Sequence, residues 1–240
     1  MASQVPIGLV DASWGGTTVE GWVTREKLLE VPENGGLLKL WDERIKHDPA
    51  KAKDRNNPGA AFNGMMNVFG GLSVKGIIFN QGFNNALGDS RPKLYSKNIQ
   101  LMIQEWRETF RDEKLPFGII ELSAGGQPQT LENFALTMLD AGAYIREAQL
   151  KAYIDLPAMG FVSAYDEQIN WYHPQKKVEL GERMARWALA TQYGYDFGWK
   201  PALPISVDIT TDGMVIGFDK EVIVPDGRPI EGMALAGKDQ

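Results

Sequence analysis

The sequence predicts an α/β fold: a parallel sheet covered on both faces by helices, followed by a β-rich segment. Three observations carry this expectation. Four short apolar runs of strand length are each followed by Gly, Asn, Ser or Asp, helix-periodic stretches lie between them, and the texture changes after Gly194 toward Pro, Gly and alternating apolar residues. Strands alternating with helices need crossover connections, and crossovers make a sheet parallel and bury both of its faces.

The expected strands are Val5–Val10, Val74–Phe79, Phe117–Leu122 and Met159–Ala164. Two stretches carry a strong helical period. Over Tyr95–Arg111, the residues Ile99, Met102, Ile103, Trp106 and Phe110 share one face, and over Val178–Tyr193, Met184, Trp187, Ala188 and Thr191 do so. The end of the chain, SVDITTDGMVIGFDKEVIV, alternates as hairpin strands do, with Asp212-Gly213 and Asp226-Gly227 as turns. This divides the chain into residues 1–199, an α/β domain, and residues 200–240, a β-rich C-terminal segment. In open parallel sheets ligands bind beyond the carboxyl ends of the strands. The segments to inspect are therefore DASWGGT, NQGFNN, SAGGQ and YDEQINWYH.

Composition narrows the function classes. With 43% hydrophobic and 23% charged residues, the 240-residue chain has material for a proper core. A net charge of −6, with no Lys/Arg cluster longer than a pair, argues against a nucleic-acid or anionic-membrane partner. Without cysteine there is no disulfide, no thiolate nucleophile and no cysteine-ligated metal. No apolar run approaches the roughly 18 residues of a membrane span, and the opening MASQVPIGLV lacks a basic region followed by an apolar one.

Chemistry concentrates in three of the loops. Gly15 and Gly16 permit a backbone conformation that brings N–H groups close to a ligand. Asn80, Gln81, Asn84 and Asn85 offer amides suited to a developing oxyanion. His173, one of two histidines, lies between Tyr172 and Pro174 at the sheet's carboxyl edge, where an imidazole serves as general base. His47 sits in the charged RIKHDP stretch and is assigned no role.

In this order, PIGLVDASWGGTTVEGW, AFNGMMNVFGGLSVKGIIFNQGFNNA, YIREAQ and NWYHPQKKVELGERMARWALATQYG resemble the sialate O-acetylesterase family of carbohydrate esterases. The resemblance implies a flavodoxin-like three-layer fold of the SGNH-hydrolase type and hydrolysis of acetyl esters on sugar hydroxyls through an acyl-serine, with no cofactor and no metal. It implies an oxyanion hole from Gly15, Gly16 and Asn85, with His173 as base. Gln81, Trp14 and Trp171 are then substrate contacts, and Trp22 and Tyr172 lie close enough to join them or to pack as core. The family's serine comes from a Gly-Gln-Ser-Asn type loop ahead of the glycine loop, so the nucleophile and the sheet's first strand are expected upstream of this chain. Ser90, in Gly-Asp-Ser, stands in the wrong order, and Ser13 and Ser123 have no stronger claim.

Two further departures bear on the chemistry. Phe83 stands where the family has an acidic residue, and Asn170 stands where a carboxylate would orient the histidine, leaving Asp166 as the nearest acid in sequence with Asn170 in support. The arginines of GERMARWALATQYG are expected to be solvated. The alternative is a non-catalytic carbohydrate-binding or scaffold domain of the same fold. Either way the partner is an acetylated carbohydrate, and the resemblance implies a periplasmic or extracellular parent protein.

Overall fold

The computed structural model describes residues 6–87, 92–124, 130, 132, 141–167, 173, 176–223 and 227. The chain divides into two compact units, Met1–Trp199 and Lys200–Gln240.

Among the described residues, the first unit is built on a parallel sheet of three strands, β1 (Ile77–Phe79), β2 (Phe117–Ile120) and β3 (Met159–Val162), in the order β1-β2-β3. Ile78 faces Gly118, and Gly118 faces Gly160, across the two ladders. Among the described residues, five α-helices accompany the sheet: α1 (Arg25–Leu28), α2 (Gly35–His47), α3 (Pro92–Phe110), α4 (Gly142–Asp155) and α5 (Lys177–Gln192). The α/β expectation holds, with each strand shorter than its apolar run.

Strand alternation sorts the core into two layers. Phe79, Phe117, Ile119, Met159 and Phe161 point to one face, where Ile99, Met102, Ile103 and Trp106 of α3 and Ile145, Ala148 and Ala152 of α4 cover them. Gly118, Gly160 and Val162 point to the other, against Leu180, Met184 and Trp187 of α5. The two glycines are there for close approach. A Cβ at Gly118 would lie 2.6 Å from Trp187, and one at Gly160 would lie 2.4 Å from it. Ile78, on that same face of β1, is 59% exposed, so α5 covers β2 and β3 but leaves β1 open.

Helix α3 shows how sequence sets an element. Its apolar residues recur at helical spacing, and Pro92 opens it where a missing N–H costs no intrahelical bond. It closes with Arg111 in the left-handed region (φ 57°), while the N–H of Asp112 bonds back to the carbonyl of Arg107 at 3.0 Å.

One expected strand does not form. Residues 6–10 are irregular, with Ile7 61%, Leu9 91% and Val10 56% exposed. A strand exists through its ladder, and among the described residues this run pairs with nothing, while Pro6 has no N–H to donate. In the second unit, β4 (Pro204–Ile209) and β5 (Met214–Phe218) form the antiparallel hairpin expected at Asp212-Gly213, with Val207 opposite Ile216. The other expected turn involves Asp226, outside the described residues. Among the described residues, no helix is long and apolar enough to cross a membrane.

Candidate active site

The glycine loop is held by its carbonyls. Arg55 Nη1 donates to the Gly15 oxygen at 2.6 Å, and Asn56 Nδ2 and Asn84 Nδ2 donate to the Gly16 oxygen at 3.1 and 2.5 Å. The hydroxyl of Thr17 closes the turn on the Trp14 carbonyl at 2.9 Å. Because each peptide is planar and trans, clamping these carbonyls turns the N–H groups of Gly16 and Thr17 the opposite way. Neither N–H has a hydrogen-bond partner among the described residues. Gly16 adopts φ 80°, which a side chain would resist.

The NQGFNN segment leaves β1 and becomes a 3₁₀ turn, Phe83–Ala86. Gly82 lets it press on α4: at φ 147°, a Cβ there would meet Ile145 Cγ2 at 2.7 Å. Two residues of this turn join the neighbouring loops. Asn84 holds Gly16, and the Phe83 ring lies 5.4 Å from the His173 ring, inclined by 57°. The glycine loop, the asparagine turn and the histidine are thereby brought together.

Asn85 and Gln81 point inward. Asn85 is fully buried, and its Oδ1 accepts from the Val19 N–H at 2.8 Å and from Gln81 Nε2 at 2.7 Å. A backbone N–H can only donate, so this contact fixes which end of the amide is oxygen. Nδ2 then donates to the buried carboxylate of Glu20 at 3.1 Å, and Asn98 Nδ2 donates to the same carboxylate at 2.9 Å. Gln81 Nε2 also donates to the Thr17 carbonyl at 3.0 Å, and its Oε1 accepts from the Tyr95 hydroxyl at 3.1 Å. Gln149 of α4 completes the web, donating to the Gln81 carbonyl at 2.7 Å and accepting from the Leu122 N–H at 2.8 Å. Burial pushes the Tyr95 hydroxyl far above its usual pKa, so it stays a donor throughout the accessible range. This web positions the loops from beneath and occupies both ends of the Asn85 amide.

His173 is exposed and sits ahead of α5. The structure gives Asp166 a different partner from the expected one: both of its oxygens accept from Arg183, at 2.7 and 2.6 Å. That guanidinium holds the Asp166 carboxyl below its usual range. Arg183 also donates to the Ser163 carbonyl at 2.8 Å, so it clamps the loop after β3 and is not simply solvated as its helix pattern suggested. Nearby, burial raises the pKa of Glu121, which accepts from the Ser163 hydroxyl at 2.5 Å. Asn170, Trp171, Tyr172 and Ser90 lie outside the described residues. Ser13 donates to Asp11 at 2.5 Å, and Ser123 is buried. Trp14 is 40% exposed beside the glycine loop, whereas Trp22 is core, edge-on to Trp106 with its ring N–H on the Thr17 hydroxyl. Among the described residues, no group of three His, Asp or Glu side chains is placed to hold a metal ion.

Residues 1–190 match the family described as carbohydrate esterase, sialic acid-specific acetylesterase. The chain belongs to this family. Human sialate O-acetylesterase is 29% identical over 208 residues, covering 80% of this chain and 36% of its own length. The mouse sialate O-acetylesterase is 29% identical over 264 residues, covering 92% and 46%. A carbohydrate acetylesterase from Xanthomonas citri superimposes with a TM-score of 0.69 at 26% identity, over 91% of this chain and 44% of that one. The chain thus spans less than half the length of these relatives. For a member of this esterase family, the loops that meet at Gly16, Asn84, Phe83 and His173 form the candidate site.

The structure brings together loops that the sequence singled out, with some neighbours other than those expected. Asn84 touches the glycine loop while Asn85 turns inward, and Arg55, Asn56 and Glu20 went unnoticed. A signal for Glu20 existed: an acid inside the apolar run Val19–Trp22 must find donors if it is buried.

Proposed function

We propose that this chain takes part in hydrolysing acetyl esters on sugar hydroxyls. The observation that carries the reading is the convergence of three separate loops, with Asn84 on Gly16 and Phe83 on His173. Family membership and the named acetylesterase relatives support it.

His173 is the general base. A serine hydroxyl, assigned by the resemblance to a loop ahead of the glycine loop, loses its proton to His173 as its oxygen attacks the acetyl carbon. The carbonyl oxygen gains negative charge facing the N–H groups of Gly16 and Thr17, which are fixed in advance and need no reorganisation. Collapse breaks the ester bond, and the sugar oxygen leaves with the proton from His173. Water repeats the sequence on the acyl-serine and releases acetate. Phe83 supports one face of the imidazole, Trp14 offers an apolar platform beside the loop, and Asp166 contributes by fixing the Ser163–Glu167 segment through Arg183.

The test is acetate release from p-nitrophenyl acetate and from an O-acetylated sugar by wild type, His173→Ala and Ser90→Ala, each carried in a chain that includes the upstream serine loop the resemblance implies. The wild type hydrolyses both, His173→Ala loses about a hundredfold or more, and Ser90→Ala matches the wild type. Equal rates for wild type and His173→Ala overturn the assignment. A wild-type chain that binds the sugar but releases no acetate supports a carbohydrate-binding domain instead.

A further inference from the structure

The peptides on either side of Thr17 are gripped by one side chain. Asn56 Nδ2 donates to the Gly16 carbonyl at 3.1 Å, and Asn56 Oδ1 accepts from the Thr18 N–H at 2.8 Å. A backbone N–H can only donate, so the second contact fixes which end of the amide is oxygen and leaves nitrogen facing Gly16. A trans peptide carries its N–H opposite its C=O, so the Thr17 N–H, which shares a peptide with the Gly16 carbonyl, is aimed away from Asn56. By the same rule the Thr17 carbonyl, in one peptide with the Thr18 N–H, faces away as well, and there Gln81 Nε2 meets it at 3.0 Å. The hydrogen bonds from Asn56 and Gln81 restrict rotation of both peptides that flank Thr17.

Asn56 is itself held by a loop that presses on this segment. Its N–H donates to the Asp54 carboxylate at 3.0 Å, and the Gly59 N–H donates to the Glu20 carbonyl at 3.1 Å. Gly21 permits the close approach, since a Cβ there would lie 2.7 Å from the Arg55 carbonyl oxygen. Arg55 adds a contact of the same kind, from Nη1 to the Gly15 carbonyl at 2.6 Å, which turns the Gly16 N–H away from it. Residues 54–59 therefore brace the glycine loop by its carbonyls.

We propose that Asn56 is a positioning residue for ester hydrolysis: by holding the Gly16 carbonyl and the Thr18 N–H on one amide, it aims the Thr17 N–H at the ester oxygen. The proposal rests on the esterase reading and assigns the direction of one oxyanion donor to a side chain behind the loop. A donor fixed in advance acts once charge develops on that oxygen. Acylation and deacylation both develop it, so misdirecting the donor lowers kcat and leaves KM in place.

The experiment measures steady-state hydrolysis of p-nitrophenyl acetate by wild type, Asn56→Ala, Asn56→Asp and Asn57→Ala, each in a chain that includes the upstream serine loop. Asn56→Ala lowers kcat about tenfold to a hundredfold, less than the loss of a whole donor because Asn84 still holds the Gly16 carbonyl. KM stays within about twofold. Asn56→Asp keeps an acceptor for Thr18 but sets a carboxylate against the Gly16 carbonyl, and it loses more. Asn57→Ala removes a bond to the Ala52 carbonyl in the same loop and keeps the wild-type kcat. An unchanged kcat in Asn56→Ala, a loss carried by KM, or an equal loss in Asn57→Ala overturns the proposal.

If the wild type releases no acetate, the esterase reading fails and the clamp is judged alone. Residual dipolar couplings in 15N-threonine-labelled wild type and Asn56→Ala report the direction of each threonine N–H. A changed coupling at Thr17 with those of Thr24 and Thr109 unchanged supports the clamp, and an unchanged coupling at Thr17 overturns it.

Discussion

Replacing Asn85 by alanine separates two roles that one residue can play. If its amide faced the ester, the change would cost activity and little stability. The structure makes it an interior strut, so the change should cost stability first. Three partners lose a contact in Asn85→Ala, of which Gln81 Nε2 keeps the Thr17 carbonyl and the other two are left short. The Val19 N–H loses its acceptor at 2.8 Å, and the buried Glu20 carboxylate keeps only Asn98. An unsatisfied buried group costs about 1–3 kcal/mol, so the pair amounts to about 2–6 kcal/mol, a large share of the 5–15 kcal/mol typical of a domain. Urea unfolding followed by tryptophan fluorescence, with the fitted slope compared between proteins, measures the difference. A variant within about 0.5 kcal/mol of the wild type would refute the reasoning, and would mean that the Asn85 amide turns outward in solution. Asn85→Asp sharpens the test. It sets a second carboxylate against Glu20 where Nδ2 was a donor, so it should destabilise by more than Asn85→Ala at neutral pH.

Other outcomes follow from the same geometry. Gly160→Ala drives a methyl group to 2.4 Å from Trp187 and should cost about 1–3 kcal/mol in urea unfolding. Gly181→Ala, on the exposed side of α5 with nothing within 4 Å of the added Cβ, should gain about 0.5–1 kcal/mol. Similar effects for the two would contradict the close packing of α5 on the sheet. Burial raises the pKa of Glu121 in the folded state, so its contribution to stability is fully present below the unfolded value of about 4.3 and is lost as pH rises through the folded value. Glu121→Gln cannot titrate, and the difference in unfolding free energy should therefore move in the variant's favour as pH rises from about 4.3 toward neutral. A difference independent of pH would show that Glu121 is not the titrating group.

How far the sequence reaches can be read from single residues. Trp187 and Met184 were legible as one helix face because spacing alone sets which side chains share a side. The strands at Phe117 and Met159 were legible because a run of apolar residues cannot stay in water. Gly15-Gly16 and His173 were legible as types suited to a site, since few residues take positive φ or titrate near neutrality. The strand expected at Val5–Val10 was not secure on the same evidence, because its pattern supplies only half of a ladder and the other half must come from elsewhere in the fold.

By itself, then, the sequence determined the alternation of strands and helices, the loops at the sheet's carboxyl edge and the family to which they belong, all of which rest on local pattern. Tertiary structure decided which of two adjacent asparagines meets Gly16, that Asp166 pairs with Arg183, and that Arg55 stands over Trp14 beside the glycine loop. Those contacts join residues 17 to 68 positions apart, or depend on which way a single amide faces. Local periodicity carries no information about either, because partner choice at that range is set by how the layers pack and by the need of every buried donor to find an acceptor.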